Sequence, residues 1–143
     1  MNLQPYLDFA TSLAYRAGRI TMGYYNTGVR ADMKENNEPV TIADHEAEKF
    51  IRAEIERQYP GHAIIGEEFG HTNGNGVPFR WTIDPIDGTK SFIRSVPLYG
   101  VLIGLEIEGK ISVVPHDFGE NAFDAALHGI RRRCHYITII IQT

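Results

Sequence analysis

The stretch WTIDPIDGTKSF, Trp81 to Phe92, puts Asp84 and Asp87 three residues apart, directly behind an apolar run. Trp81, Ile83 and Ile86 pull this segment toward a core, so the two carboxylates are drawn partly out of water. Partly buried carboxylates in a group need protons or cations beside them. Glu67 and Glu68, at the end of the short apolar run HAIIG, form a second acidic pair of the same kind. Taken singly, each acid reads as an exposed loop charge. Taken together, four acids at strand ends read as a cation site. Hard oxygen donors with no histidine or cysteine nearby select Mg²⁺, Mn²⁺ or Ca²⁺ over zinc. The spacing is not that of a calcium-binding EF-hand loop, which alternates its acids before a glycine. Pro85 stiffens the segment, Gly88 permits close backbone approach, and Thr89 brings a hydroxyl that can orient a water. Gly88-Thr89 also reads as a helix opening whose amides would meet an anion. Carboxylates beside such an opening make sense together if Mg²⁺ bridges to a phosphate.

The rest of the chain sets the frame. Its 143 residues are one domain's worth, with 43% hydrophobic and 22% charged residues. A net charge of −4, with no basic stripe ahead of residue 131, argues against nucleic acid as a partner. The single cysteine, Cys134, excludes an intrachain disulfide and fits a reducing compartment. Asp8 and Arg16 interrupt the N-terminal apolar residues, unlike a signal peptide, and no stretch is long or apolar enough to span a bilayer. The expectation is a soluble, cytoplasmic protein.

Apolar residues at 3, 7, 10, 13, 14, 17 and 20 predict a helix over about 3–25. Residues 29–39, containing KENNEP, fit a hairpin or a mobile loop. Thr41 and Asp44 form a capping pair opening a second helix, which Tyr59-Pro60-Gly61 stops. Residues 62–66 predict a strand, 71–78 a loop, and 79–83 a strand with the aspartate motif at its C-terminal end. Tyr99 to Glu108, Gly109 and Lys110 to Val114 predict a hairpin. Two helices followed by antiparallel strands is an α+β layout.

Gly66-Glu-Glu-Phe69, followed by WTIDPIDGTKSF and preceded by KENNEPVTIAD (Lys34 to Asp44), resembles the inositol monophosphatase family of Mg²⁺-dependent phosphomonoesterases. The resemblance runs to about Val114 and matches the N-terminal half of a family member. It implies that family's α+β sandwich, here as a helix pair packed on an antiparallel sheet with the C-terminal half absent. It further implies that Glu67, Asp84 and the carbonyl of Ile86 hold one Mg²⁺ (or Mn²⁺), with Asp84 and Asp87 sharing a second. Glu68 would stand behind these ligands or assist a third, weaker metal. Asp44 and Thr89 would orient and deprotonate the attacking water, the amides of Gly88 and Thr89 would cradle the phosphate, and Lys34 would lie near the mouth. The implied reaction is in-line attack of water on a small phosphorylated metabolite, activated by two metals.

Within the family, Thr89-Lys90-Ser91-Phe92 is more similar to the histidinol-phosphate phosphatase branch, and so to histidine biosynthesis, than to the inositol-phosphate branch. Lys90 alone does not separate it from adenosine 3′,5′-bisphosphate phosphatases. A catalytically silent fragment that binds metal or a partner is the alternative from another class. An unpaired sheet edge would leave a homodimer open.

Residues 115–143 depart from this pattern. The family's further aspartate, from a W-D-x-A-A-like motif, has its nearest look-alike in Asp124-Ala125-Ala126, which comes too early and lacks the tryptophan. Beyond His128 the expected G-x-G-A pattern fails, and a shift of reading frame near Leu127 would account for that. The alternative is a genuine short C-terminus with Arg131, Arg132 and Arg133 as a solvated charge run. The apolar run Tyr136 to Ile141 is an aggregation hazard unless it is paired in a sheet.

Overall fold

The computed structural model describes residues 1–113 and 137–140. Helix α1 (Gln4–Tyr24) begins with Pro5 in its first turn, where a missing N–H is no loss. Its buried face is built from Ala10, Leu13, Ala14 and Ala17. Residues 29–39 form a hairpin: β1 (Ala31–Met33) pairs antiparallel with β2 (Pro39–Thr41). Asn37, at φ 62°, takes the left-handed turn position that asparagine tolerates. Helix α2 (Ile42–Gln58) starts at Thr41 with both halves of the capping box in place.

Strands β3 (Ala63–Gly66), β4 (Gly70–Thr72), β5 (Phe79–Asp87), β6 (Gly100–Ile107) and β7 (Lys110–Val113) lie in the order β4-β3-β5-β6-β7. A further strand, β8 (Ile137–Ile140), pairs with the first half of β6, so the apolar run near the C-terminus does find a sheet partner. The four-residue helix α3 (Thr89–Phe92) links β5 toward β6. The fold is α+β, with three departures from expectation. The sheet is mixed, because β3 runs parallel to β5, and an apolar pattern carries no strand direction. His71 and Thr72, expected in the 71–78 loop, instead join Gly70 in β4 against β3. Strand β5 also continues through the aspartate motif to Asp87 rather than stopping at Ile83. The reading-frame reading, and Asp124 with it, falls on residues 114–136, outside the described residues.

Both helices cover one face of the sheet. Ala10, Leu13, Ala14 and Ala17 of α1 and Ile51 and Ile55 of α2 meet Ile64, Trp81, Ile83, Val101, Ile103 and Leu105. Alanines at the helix crossing let α1 and α2 approach closely, leaving volume for Trp81, which is fully buried. Among the described residues no helix is long and apolar enough to cross a membrane.

Candidate active site

In a regular strand, residues three apart point to opposite faces. Asp84 and Asp87 escape this rule because β5 is irregular between them. Asp84 pairs with Leu102 and Asp87 with Gly100, so three steps on β5 oppose two on β6. The extra residue is a bulge that restores parity, and it falls at Pro85 and Ile86, where Pro85 has no N–H to give the ladder. Oδ1 of Asp84 accepts from the Ile86 amide at 3.1 Å. Ile86 itself is buried with Ala43, Phe92 and Tyr99, which anchors the bulge to the core. Gly88 follows at φ 92° with its Cα pressed toward the Leu98 carbonyl oxygen, 2.8 Å from where a Cβ would lie. Only glycine satisfies both the dihedral and the approach.

Glu67 and Glu68 occupy the β3–β4 turn, and the parallel pairing of β3 with β5 brings that turn beside the bulge. A cleft lined by Glu67, Asp84, Ile86, Asp87, Gly88 and Thr89 results, closed on one side by Glu38 and Pro39 of the β1–β2 hairpin. Lys34, on the same hairpin, donates to Glu67 Oε1 at 2.8 Å and to Glu68 Oε1 at 2.7 Å. Asp44 enters from the start of α2. Its Oδ2 accepts from the Thr41 amide (2.8 Å) and the Thr41 hydroxyl (2.6 Å). That leaves Oδ1 to face the Thr89 hydroxyl at 3.4 Å. The same hydroxyl lies 3.0 Å from the Ile86 carbonyl oxygen.

The electrostatics are those of acids crowded out of water. Burial, then the charge and hydrogen bond of Glu67, then Asp87, push the Asp84 carboxyl up to about 9. Burial and Glu67 also raise Asp87. Burial raises Asp44 against the opposing bonds from Thr41, and raises Glu68 against Lys34. Burial works to lower the Lys34 ammonium, but the bonds from Glu67 and Glu68 outweigh it and hold it charged. The crowding thus favours the protonated form of Asp84 and is relieved by the Lys34 ammonium between the glutamates.

These residues fit a hard divalent cation by donor chemistry. Three carboxylates and the Ile86 carbonyl share one polar cleft, where crowding favours the protonated form of Asp84 and Lys34 donates to Glu67. Among the described residues no three acidic, histidine or cysteine side chains are drawn together tightly enough to ligate a metal as they stand. Lys34 engages Glu67 from the hairpin side. Of the residues expected at the site, Glu67, Asp84, Ile86, Asp87, Gly88 and Thr89 line the cleft. Asp44 adjoins it through Thr89, and Lys34 and Glu68 adjoin it through the Lys34 bond to Glu67. Asp44 is buried at 1% exposure, and the Glu68 side chain is 4% exposed.

Sequence reasoning passed over Glu48, which is completely buried on α2 and takes the backbone amides of Glu68 and Phe69. A charged residue in a helix pattern normally signals a solvent face. The available signal was its position one turn beyond Asp44, on the same side of the helix.

Comparison with known proteins matches this arrangement to one group. The histidinol-phosphatase of Chlorobaculum parvum is 46% identical over 113 residues, covering 78% of this chain and 43% of that protein. The Nus factor SuhB of Escherichia coli K12 is 37% identical over 130 residues, covering 89% of this chain and 49% of that protein. The crystal structure of the extragenic suppressor protein suhB from Bartonella henselae superposes with a TM-score of 0.71 at 30% identity, over 75% of this chain and 42% of that one. The chain therefore spans about half the length of the curated relatives it matches. The profile of the inositol monophosphatase family covers residues 2–129, the capped helix, the acidic turn and the bulged aspartate strand included, and the chain belongs to that family.

Proposed function

We propose that this cleft hydrolyses a small phosphomonoester with the help of Mg²⁺ or Mn²⁺. The observation that carries the reading is the Thr89–Asp44 hydrogen bond, which opens onto the same cleft as Glu67, Asp84 and Asp87. Glu67, Asp84, Asp87 and the Ile86 carbonyl would hold the metal. When bound, the metal neutralises phosphate charge and makes a nearby water more acidic.

The chain's own residues handle the proton. Thr41 saturates Oδ2 of Asp44, so only Oδ1 is available to Thr89. A water donating to Thr89 Oγ1 passes a proton through that hydroxyl to Asp44 Oδ1. Burial makes Asp44 a better proton acceptor than an ordinary aspartate. The amides of Gly88 and Thr89 orient the phosphate, Lys34 steadies its charge at the mouth, and Glu68 supports Glu67 through their shared lysine. Histidinol phosphate is the preferred substrate in this reading. The Thr89-Lys90-Ser91-Phe92 sequence and the 46% identity to a histidinol-phosphatase support that choice.

The test is phosphate release from histidinol phosphate, inositol 1-phosphate and adenosine 3′,5′-bisphosphate with Mg²⁺, with Asp84→Asn run alongside. Turnover lost by orders of magnitude in the variant supports the reading, and the fastest substrate names the branch. Folded protein that turns over none of the three sinks it, leaving a silent metal-binding or partner-binding chain.

A further inference from the structure

Behind the acidic turn lies a residue that does not line the cleft. Glu48 is 0% exposed, yet both of its carboxylate oxygens are used. Oε2 accepts from the Glu68 amide at 2.7 Å. Oε1 accepts from the Phe69 amide at 3.1 Å and from Arg52 Nε at 2.8 Å. Arg52 continues the network by donating from Nη1 to Thr72 Oγ1 at 3.0 Å and from Nη2 to the Gly70 carbonyl. The Glu48–Arg52 pair therefore grips the β3–β4 turn from both sides, by amides on one strand end and by a carbonyl on the other.

Gly66 explains how the carboxylate gets there. A Cβ built on Gly66 would overlap Oε1 of Glu48 and lie 2.5 Å from its carboxyl carbon. The φ of Gly66 is not in the left-handed region, so conformational freedom is not the reason for glycine here. The reason is space: the Glu48 carboxylate lies directly over the Gly66 Cα on its way to the next two amides.

We propose that Glu48 is a positioning residue for the cation site, holding the Glu67–Glu68 turn at a set distance from Asp44 through the rigid turn of α2 that separates Asp44 from Glu48. The proposal rests on the metal-dependent reading of the cleft. A buried carboxylate carries a large desolvation cost unless its partners recover it. An apolar residue would fill the space without that cost, but it would not orient two consecutive amides. The two amides belong to the residue that carries one acid and to its neighbour, so the direction of the Glu67 and Glu68 side chains follows from where Glu48 holds the backbone.

The test uses the full chain and Mn²⁺ as the probe. Glu48→Gln keeps the shape but turns an NH₂ toward an amide N–H, so one of the two backbone bonds must break. Amide exchange at Glu68 and Phe69 and Mn²⁺ titration are measured at a temperature well below unfolding. Gly66→Ala, which displaces the carboxylate without removing it, is a second route to the same effect. Thr72→Ala, at the outer end of the Arg52 network, is the control. The expected result is loss of exchange protection at Glu68 and Phe69 and Mn²⁺ binding weakened by roughly 10- to 100-fold in both variants, with Thr72→Ala near wild type. Mn²⁺ affinity unchanged while protection is lost would overturn the proposal, making Glu48 a fastener of the turn alone. No Mn²⁺ binding by the unaltered chain would overturn the metal reading and the proposal with it, and that failure is recognised before any variant is compared.

Discussion

Thr89 Oγ1 faces Asp44 Oδ1 across 3.4 Å, joining the start of α3, just past the bulged strand, to the first turn of a helix 45 residues earlier. If this pair moves the proton of the attacking water, removing either member should cost about the same. Thr89→Ala and Asp44→Asn are each expected to lower kcat by about 10²- to 10⁴-fold. The double variant should be little worse than either single one, because the two residues act as a unit. Steady-state phosphate release on the best substrate measures this. Additive losses would separate the two roles.

Asp84 makes a second prediction through pH. Its folded pKa is raised to about 9 from an ordinary value of 3.8. Between those values the folded chain keeps a proton that the unfolded chain has released. Stability from this group is therefore full below about pH 4 and is lost as pH rises through the folded value. Asp84→Asn carries no such charge, so without metal it should melt higher than the parent at pH 8, by several degrees, and the difference should shrink toward pH 5. A difference of 1 kcal/mol moves Tm by about 2–8 °C in chains of this size range. Thermal melts at the two pH values decide it. Adding Mg²⁺ should reverse the order, since a ligand that binds only the folded parent stabilises it by mass action.

Local signals carried most of the site. The capping pair Thr41 and Asp44 was legible because a cap needs only three residues of context, and the strand leading into Asp84 because Trp81 and Ile83 are apolar neighbours in sequence, although β5 runs on to Asp87. What escaped depends on partners far along the chain. Glu48 is buried because amides 20 and 21 residues later take its charge, and no helix periodicity records that. The parallel pairing of β3 and β5 is a long-range contact that no local pattern records, and β4 pairs with β3 across a turn whose Gly70 carbonyl meets Arg52 of α2. The bulge was half legible: Pro85 marks a break in the ladder, but its effect on the parity of Asp84 and Asp87 appears only once β6 is placed beside them.

Thr41 links folding to the chemistry. It caps α2 by accepting from the Ala43 amide and also occupies Oδ2 of Asp44. Thr41→Ala should lose about 1 kcal/mol of stability from the missing cap. It should also lower kcat, because a freed Oδ2 lets the Asp44 carboxyl rotate away from Thr89. Thr41→Ser keeps the hydroxyl and should restore both. Denaturant unfolding and turnover, run on the same three proteins, test the pairing. Recovery of stability without turnover in Thr41→Ser would mean that Asp44 is oriented by something else.

At the far end of the sheet, His62 makes stability sensitive to acid. His62 Nδ1 accepts from the Trp81 indole N–H at 3.1 Å, with the imidazole stacked against Phe79 at 4.5 Å and Tyr59 at 5.0 Å. Burial lowers its pKa below the ordinary 6.5, and protonation of Nδ1 would remove the acceptor that Trp81 uses. Here the sign is opposite to that of Asp84. The unfolded chain takes up the proton first, so stability is present above pH 6.5 and is lost as pH falls through the lower folded value. His62→Phe keeps the stack but cannot titrate, and it leaves the indole N–H without its partner, at a cost of about 1–3 kcal/mol. The variant should therefore be less stable than the parent at pH 7.5 and lose part of that deficit by pH 5. Unfolding followed by Trp81 fluorescence at both pH values measures the gap, and an equal gap at the two would show that His62 is not the group titrating.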